Sequence, residues 1–290
     1  MQRHPSPASW TKFLGAPLPQ AQVIISIDEL WKNIMESEEK LTGGNMTAVS
    51  RVGDTVRRDV GFWTKQVHRL LAHLRAKGIQ EVPAPIGFDE NGREILSFIP
   101  GLVGHYPLPE SLRTDEVLIS AARLLRRIHD ATTDVAQIWQ SGWQSPTWGP
   151  VEVICHGDFA PYNCVFDNGR LIGVIDFDHA HPGDREWDVA YALYRFAPIT
   201  DPSNPENYGT LPEQCRRARL FCDEYGLRER SKIIQSAKLR IAYMAEYLRQ
   251  GAAKGDKRLQ ANIDDGHLEI YITDHAYLNS HYEEFQAALS

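Results

Sequence analysis

The first third of the chain alternates short apolar runs with turn residues, a pattern that predicts antiparallel strands. Residues 47–52 predict one strand, and residues 55–58 predict the strand that returns beside it. A second hairpin follows, with Asn91-Gly92 at its turn and residues 94–99 as its second strand. Asn-Gly between apolar flanks is a strong hairpin signal, because both residues adopt the positive φ that tight turns need.

A single helix is predicted between the two hairpins. Val67, Leu70, Leu71 and Leu74 recur at helical spacing, and Gly78 follows as a stop signal. Two hairpins and one helix make a small α+β unit, which we predict to span residues 21–99. The polar, proline-containing residues 1–20 before it predict a flexible N-terminal arm.

The remaining residues, 100–290, predict a larger and mostly helical lobe. Apolar positions mark helices at residues 117–128, with Thr114 as N-cap, at residues 233–248, and at residues 268–285. An island of short strands interrupts them at residues 151–178. The predicted fold class is therefore α+β, with a small antiparallel-sheet N-lobe and a larger helical C-lobe.

The strand island contains the residues that predict chemistry. It reads His156-Gly157-Asp158, then Asn163 five residues after the aspartate, then Asp176-Phe177-Asp178 beyond a hairpin turn. This order matches the H-x-D-x-x-x-x-N loop and the metal-binding aspartate of kinases. A carboxylate can accept the proton of an attacking hydroxyl, so Asp158 is the candidate base. An amide oxygen and a carboxylate suit Mg²⁺, so Asn163 and Asp176 are the candidate ligands.

These motifs resemble those of the aminoglycoside phosphotransferase family, which has a protein-kinase-like fold. Pro182-Gly183-Asp184 and Trp187-Asp188-Val189-Ala190 extend the resemblance downstream. It implies a bilobal kinase fold, ATP or GTP with Mg²⁺ as cofactors, and a small-molecule hydroxyl as acceptor. It also implies that Ser97, Phe98 and Ile99 form the hinge at the adenine, and that Gly43 and Gly44 remain from a glycine-rich phosphate loop.

The chain departs from the kinase pattern at two positions. No lysine stands on the returning strand, so we expect Arg58 to contact the phosphates in its place, with Arg57 as the next candidate. The following helix offers no glutamate, and His68 is its nearest polar substitute. His156 is expected to order the catalytic loop rather than to react, and Asp188 to hold that loop by accepting backbone N–H bonds.

Composition narrows the partners. The net charge of −7 and the pI of about 5.9 argue against nucleic acid, which usually needs a basic surface. We find no signal peptide and no apolar stretch near the roughly 20 residues that span a bilayer, so we expect a cytoplasmic protein without a membrane partner. The four cysteines form no C-x-x-C pair and are expected to be reduced. Nothing in the sequence predicts an oligomeric state.

Three classes of function remain open. The first is an ATP-dependent phosphotransferase, and the second is a non-catalytic nucleotide- or ligand-binding protein that keeps the kinase-like fold. The third is a metal hydrolase built on His179 and His181 with nearby aspartates. The run of Trp139, Trp143 and Trp148 favours packing over a cation–π box for a choline-like head group.

The acceptor is left open among aminoglycosides, other antibiotics, amino alcohols and sugars. Acidic residues after residue 200 suggest a pocket for a cationic, hydroxylated molecule. These candidate pocket walls are Asp201, Glu206, Glu213, Asp264, Asp265 and Asp274, with Tyr208 and Tyr271 interleaved.

Overall fold

The computed structural model describes residues 38–41 and 49–290. An antiparallel sheet of order β1-β2-β3-β5-β4 comes first. Its strands are β1 (Glu38–Leu41), β2 (Val49–Val52), β3 (Thr55–Arg58), β4 (Pro85–Phe88) and β5 (Glu94–Ser97). Both predicted hairpins are present. The predicted arm at residues 1–20, the start of the first strand, Gly43 and Gly44 lie outside the described residues.

Helix α1 (Thr64–Ala76) connects β3 to β4, as the apolar spacing predicts. Its four apolar positions, Val67, Leu70, Leu71 and Leu74, are buried. The backbone N–H groups of Lys77 and Gly78 close the last turn. Gly78 has a φ of +88°, the left-handed geometry that glycine adopts without a steric penalty.

The strand island folds into two small sheets that hold the loops described below. Strands β8 (Cys164–Asp167) and β9 (Arg170–Val174) form a hairpin, with β6 (Leu102–Val103) beside β8. Strand β7 (Val153–Cys155) pairs with β10 (His181–Gly183). The β8–β9 hairpin turns at Asn168-Gly169, where both residues have positive φ, as the Asn-Gly sequence predicts.

Eight α-helices are present in the part of the chain that the structure describes. After α1 they are α2 (Asp115–Thr132), α3 (Arg185–Phe196), α4 (Leu211–Tyr225), α5 (Ile233–Ala253), α6 (Lys257–Asp264), α7 (His267–Ser280) and α8 (Tyr282–Leu289). Thr114 caps α2 by accepting from the Val117 N–H, as predicted. The antiparallel sheet followed by a helical region confirms the predicted kinase-like α+β fold. The division at residue 99 stays a prediction.

Two features of the helical region differ from the sequence expectations. The predicted helix at residues 268–285 is two helices, α7 and α8, which meet at His281. Helices α3, α4 and α6 fall outside the predicted helix ranges. In α3 the residues from Asp188 to Phe196 are all buried and so show no amphipathic period. Among the described residues, no helix is both long enough and apolar enough to cross a membrane.

Candidate active site

The loop from His156 to Asp158 directly follows β7 and is fixed from beneath by Asp188. The Asp188 carboxylate accepts the backbone N–H of His156 at 2.7 Å and that of Gly157 at 2.9 Å. His129 Nε2 contacts the same carboxylate at 3.1 Å. Gly157 has a φ of +80°, and a Cβ there would collide with the carbonyl oxygen of His179. The expectation that Asp188 holds this loop is confirmed.

Burial and hydrogen bonding act on Asp188 in opposite directions. Burial alone would raise its pKa, but the His129 hydrogen bond, nearby positive charge and the backbone donors outweigh burial and lower the pKa well below 3.8. The carboxylate therefore stays ionised. His156 contributes through its ring, whose Nε2 lies 3.0 Å from the Ile175 carbonyl oxygen, so it orders the loop as expected.

The side chain of Asp158 is held by two donors and lines a cavity of about 760 Å³. Tyr162 donates its hydroxyl to Asp158 Oδ1 at 2.6 Å, and Asn163 Nδ2 donates to Oδ2 at 2.9 Å. Asn163 Nδ2 also contacts the Asp158 carbonyl oxygen at 3.0 Å. Both of these contacts use the amide nitrogen, so the Asn163 amide oxygen is left to act as a ligand. Tyr162 was missed in the sequence, because nothing in a Pro-Tyr-Asn turn marks its hydroxyl as a partner of the aspartate.

Asp176 begins the segment after β9 and lines the same cavity. Its backbone is left-handed, with φ +61° and ψ +66°, which is uncommon outside glycine and marks functional loops. The Ile175 N–H donates to the Asn163 carbonyl oxygen at 2.9 Å, so the two candidate ligands stand on adjacent backbone. One amide oxygen and one carboxylate fit Mg²⁺, which takes few protein ligands and completes its shell with water and phosphate.

Arg58 crosses from the sheet to the strand island and contacts three carboxylates. Its Nε donates to Glu94, its Nη1 lies 3.0 Å from Asp176 Oδ1, and its Nη2 lies 2.6 Å from Asp178 Oδ1. Burial would lower the Arg58 pKa, but these carboxylates raise it further above its usual range. Burial raises the pKa of Asp178 even though Arg58 stands beside it.

Glu94 supplies the carboxylate that the helix lacks. It is buried at the start of β5, opposite Arg58 in the strand register, and His68 Nε2 of α1 lies 2.8 Å from its Oε2. The helix position thus holds a histidine, and the acid comes from a strand instead. Glu94 and Arg58 stand opposite each other because β3 pairs with β5. That pairing cannot be predicted from the local sequence.

The predicted hinge lies against the same cavity. Ser97, Phe98 and Ile99 are among its lining residues, and the Phe98 N–H donates to the Asp54 carbonyl oxygen at 2.9 Å. Asp158, Asn163, Asp176, Arg58 and the predicted hinge residues therefore line one cavity. Arg57 does not: its guanidinium contacts Thr55 and the Val56 carbonyl oxygen.

The expectation of an acidic acceptor wall is wrong for most of its residues. Of the six acids proposed, only Glu206 lines the cavity, together with Tyr271. Asp274 is buried and accepts hydrogen bonds from Tyr194, Asn204 and the backbone of Asp201. Asp201 and Glu213 also hold local structure, since Asp201 accepts from the Ser203 N–H at 2.8 Å and Glu213 pairs with Arg216.

The metal hydrolase hypothesis finds no site in the described part of the chain. No three His, Cys, Asp or Glu side chains are grouped there so as to hold a metal ion. His181 is buried, and its Nδ1 lies 2.8 Å from the His179 carbonyl oxygen. Trp139 and Trp143 are buried, as the packing interpretation predicts, whereas Trp148 lines the cavity.

Fold and site together define a kinase-like phosphotransferase architecture. A model of the phosphotransferase enzyme family matches residues 64–152 and 132–222. The trifolitoxin immunity protein of Rhizobium leguminosarum bv. trifolii is 35% identical over 206 residues, which cover 68% of this chain and 77% of that protein. The chain belongs to the phosphotransferase enzyme family, and its resemblance to the aminoglycoside phosphotransferases is confirmed.

Two further similar proteins are aminoglycoside phosphotransferases. An aminoglycoside 3'-phosphotransferase of Escherichia coli is 35% identical over 78 residues, only 26% of this chain and 29% of that enzyme. The GDP complex of aminoglycoside 2'-phosphotransferase-IIIa has a TM-score of 0.57 at 16% identity, covering 83% of this chain and 93% of that one. At 16% identity, the similarity to this structure shows the shared fold alone.

Proposed function

We propose that this protein is a small-molecule kinase that transfers the γ-phosphoryl group of ATP or GTP to a hydroxyl of its acceptor. The observation that carries the proposal is the convergence of Asp158, Asn163 and Asp176 on one cavity that the hinge also lines. The relatives named as aminoglycoside phosphotransferases support an alcohol acceptor, and the GDP complex supports a nucleotide donor.

Asp158 acts as the base in this reaction. The acceptor oxygen forms a bond to the γ-phosphorus as the bond to the β–γ bridging oxygen breaks, and the hydroxyl proton passes to the Asp158 carboxylate. The products are a phosphate monoester and a nucleoside diphosphate. Tyr162 and Asn163 hold the carboxylate in place, which fixes the direction from which the hydroxyl approaches.

Asn163 and Asp176 would hold Mg²⁺, which neutralises charge on the β- and γ-phosphates when it is bound. Arg58 stands beside Asp176 and is the candidate for the α- and β-phosphates. The Arg58 guanidinium carries several N–H donors, so some of them can stay on the carboxylates while others bind a phosphate. We expect Arg58→Lys to weaken ATP binding and to spare adenosine; equal losses for both would assign Arg58 a structural role alone.

The test compares the wild-type chain with Asp158→Asn in ATP or GTP plus Mg²⁺, with a panel of hydroxylated antibiotics, amino alcohols, sugars and aromatic alcohols. We expect acceptor-dependent release of nucleoside diphosphate from the wild type. Asp158→Asn should lose roughly 100-fold or more in turnover while binding nucleotide nearly as before. A variant with full turnover would remove Asp158 from the mechanism. No turnover by the wild type with any acceptor, beside intact nucleotide binding, would favour the non-catalytic alternative.

A second candidate function follows from the relative named as an immunity protein, 35% identical over 77% of its length. The chain could protect its host from a toxin, either by phosphorylating it or by binding it. Expression of wild type and Asp158→Asn in a trifolitoxin-sensitive strain separates these routes. Protection by the wild type alone indicates phosphorylation, and protection by both indicates binding. Failure of both to protect would exclude immunity to that toxin.

A further inference from the structure

Aromatic rings form the helical side of the cavity. Trp148 and Trp187 stack with centroids 4.9 Å apart and planes at 18°, and Tyr243 meets Trp148 edge-on at 4.9 Å. Tyr247 lies 6.2 Å from Tyr243, and Tyr271 completes the surface. We call these five residues the aromatic wall. All five are half-buried and line the cavity, so their surfaces are partly open to a bound molecule.

The aromatic wall is held rigidly. Trp148 lies on a chain segment bridged to Gly183, and its carbonyl oxygen accepts the Asp184 N–H at 3.0 Å. Trp187 stands in the first turn of α3, and Tyr243 and Tyr247 project from α5 one turn apart. Rings fixed in this way lose little conformational freedom when a flat molecule packs against them.

The wall is continuous with the catalytic loop. Arg240, one turn before Tyr243, donates to the Gly157 carbonyl oxygen at 2.6 Å, beside Asp158. Its guanidinium lies 5.3 Å from the centroids of Trp187 and Tyr243. Burial raises the pKa of Tyr271, and the Asp158 charge adds to that rise. Asp158 lines the same cavity as the wall, so a molecule lying on the wall shares that space with the base.

Charge on the cavity surface does not favour a polycation. Its lining side chains include three arginines, Arg58, Arg195 and Arg240, against three carboxylates, Asp158, Asp176 and Glu206. Glu206, the one acid of the expected acidic wall found here, is paired with Arg195 at 2.8 Å. Among the residues that the structure describes, no carboxylate lies within ion-pair distance of Arg240. A polycationic acceptor would therefore lack enough unpaired carboxylates in this cavity to bind its several ammonium groups.

We propose that the acceptor of this kinase carries an aromatic ring beside its hydroxyl and little or no positive charge. This inference rests on the proposed phosphotransferase function and specifies its substrate class. The ring stacks on Trp148 and Tyr243, and the hydroxyl faces Asp158. Arg240 is buried but lines the cavity, and its positive charge favours an electron-rich ring through cation–π attraction and disfavours an ammonium group.

Calorimetry on the full chain loaded with ADP and Mg²⁺ tests the proposal. The probes are 2-(2-naphthyl)ethanol, an uncharged aromatic alcohol, and kanamycin, a polycationic aminoglycoside. Trp148→Leu and Tyr243→Leu each keep an apolar side chain and remove one ring. Leu239→Ala is the matched control, because Leu239 lies on the same helix α5 but is 54% exposed and outside the cavity lining.

We expect the naphthyl alcohol to bind the wild type and the control equally, and each ring variant about 3- to 10-fold more weakly, the size of one aromatic contact. Kanamycin should bind more weakly than the naphthyl alcohol. Absence of naphthyl alcohol binding to nucleotide-loaded protein, unchanged affinity in both ring variants, or tighter binding of kanamycin would overturn the inference and leave the phosphotransferase proposal intact. That proposal fails separately, if the wild type turns over no acceptor at all.

Discussion

Arg58 of β3 and Glu94 of β5 stand opposite each other in the sheet and form a buried ion pair through Arg58 Nε. The same guanidinium reaches Asp176 and Asp178 beyond the sheet. One side chain therefore ties the sheet to the segment that begins at the candidate metal ligand. Glu94 is 1% exposed, so Arg58 and His68 take the place of water as the partners of its carboxylate.

Arg58→Ala is expected to lower the free energy of unfolding by about 3–5 kcal/mol, since it leaves a buried carboxylate without its main partner. Arg57→Ala is the control: it sits one position away on β3, with its guanidinium on Thr55 instead. Urea denaturation of both variants gives the comparison. Equal, small losses would show that the Arg58–Glu94 pair adds no net stability.

The Arg58–Glu94 ion pair could not be predicted from the sequence, whereas both hairpins could. The Asn91-Gly92 turn and the strand alternation predicted both hairpins, because those signals are local. The neighbour of β3 in the sheet is β5, and a pairing across 36 positions leaves no local trace. The three candidate site residues Asp158, Asn163 and Asp176 could be predicted to lie together because they stand on one short stretch of chain, and all three line one cavity.

The residues that line the helical side of the cavity could not be predicted from the sequence for a different reason. The acidic residues after residue 200 predict pocket walls, but Glu213 pairs with Arg216 and Asp274 is a buried acceptor. The aromatic residues that do line the cavity look like core positions in sequence. Whether a ring on a helix faces the core or a cavity depends on packing between elements that are distant along the chain.

Asp176→Ala is expected to abolish the part of nucleotide affinity that depends on Mg²⁺, because it removes the carboxylate from the candidate metal site. Calorimetric titration of ADP with and without Mg²⁺ measures that difference. Asp167→Ala, an exposed acid at the far end of strand β8, should keep the full Mg²⁺ effect. An Asp176 variant with an unchanged Mg²⁺ effect would show that the metal binds elsewhere.

Tyr162→Phe is expected to lower kcat about 5- to 10-fold and to leave the KM for nucleotide unchanged, the effect of losing one hydrogen bond to the base. Tyr162 is a positioning residue, since it acts through Asp158. Burial raises the pKa of Tyr162, so its hydroxyl stays protonated and keeps donating. Tyr191→Phe, which removes only the next hydroxyl 2.7 Å away, should cost less. A rise in nucleotide KM with kcat preserved would contradict the positioning role.

Asp188→Asn is expected to destabilise the protein in a pH-dependent way. The carboxylate accepts the His156 and Gly157 N–H groups and contacts His129, and its pKa in the folded state lies well below 3.8. A depressed folded-state pKa stabilises the native protein above the unfolded-state value, and that stability is lost as the pH falls toward the folded-state pKa.

The free energy of unfolding of Asp188→Asn should therefore be about 2–4 kcal/mol lower than that of the wild type at neutral pH. The difference in the free energy of unfolding between the two proteins should narrow as the pH falls below about 4. In that range residue 188 of the wild type becomes protonated in the unfolded chain but stays ionised in the native protein. Urea denaturation across this range measures the gap. A gap that stays constant from neutral to acid pH would mean that the loop is held by the shape and hydrogen bonding of residue 188, since its charge would then contribute nothing.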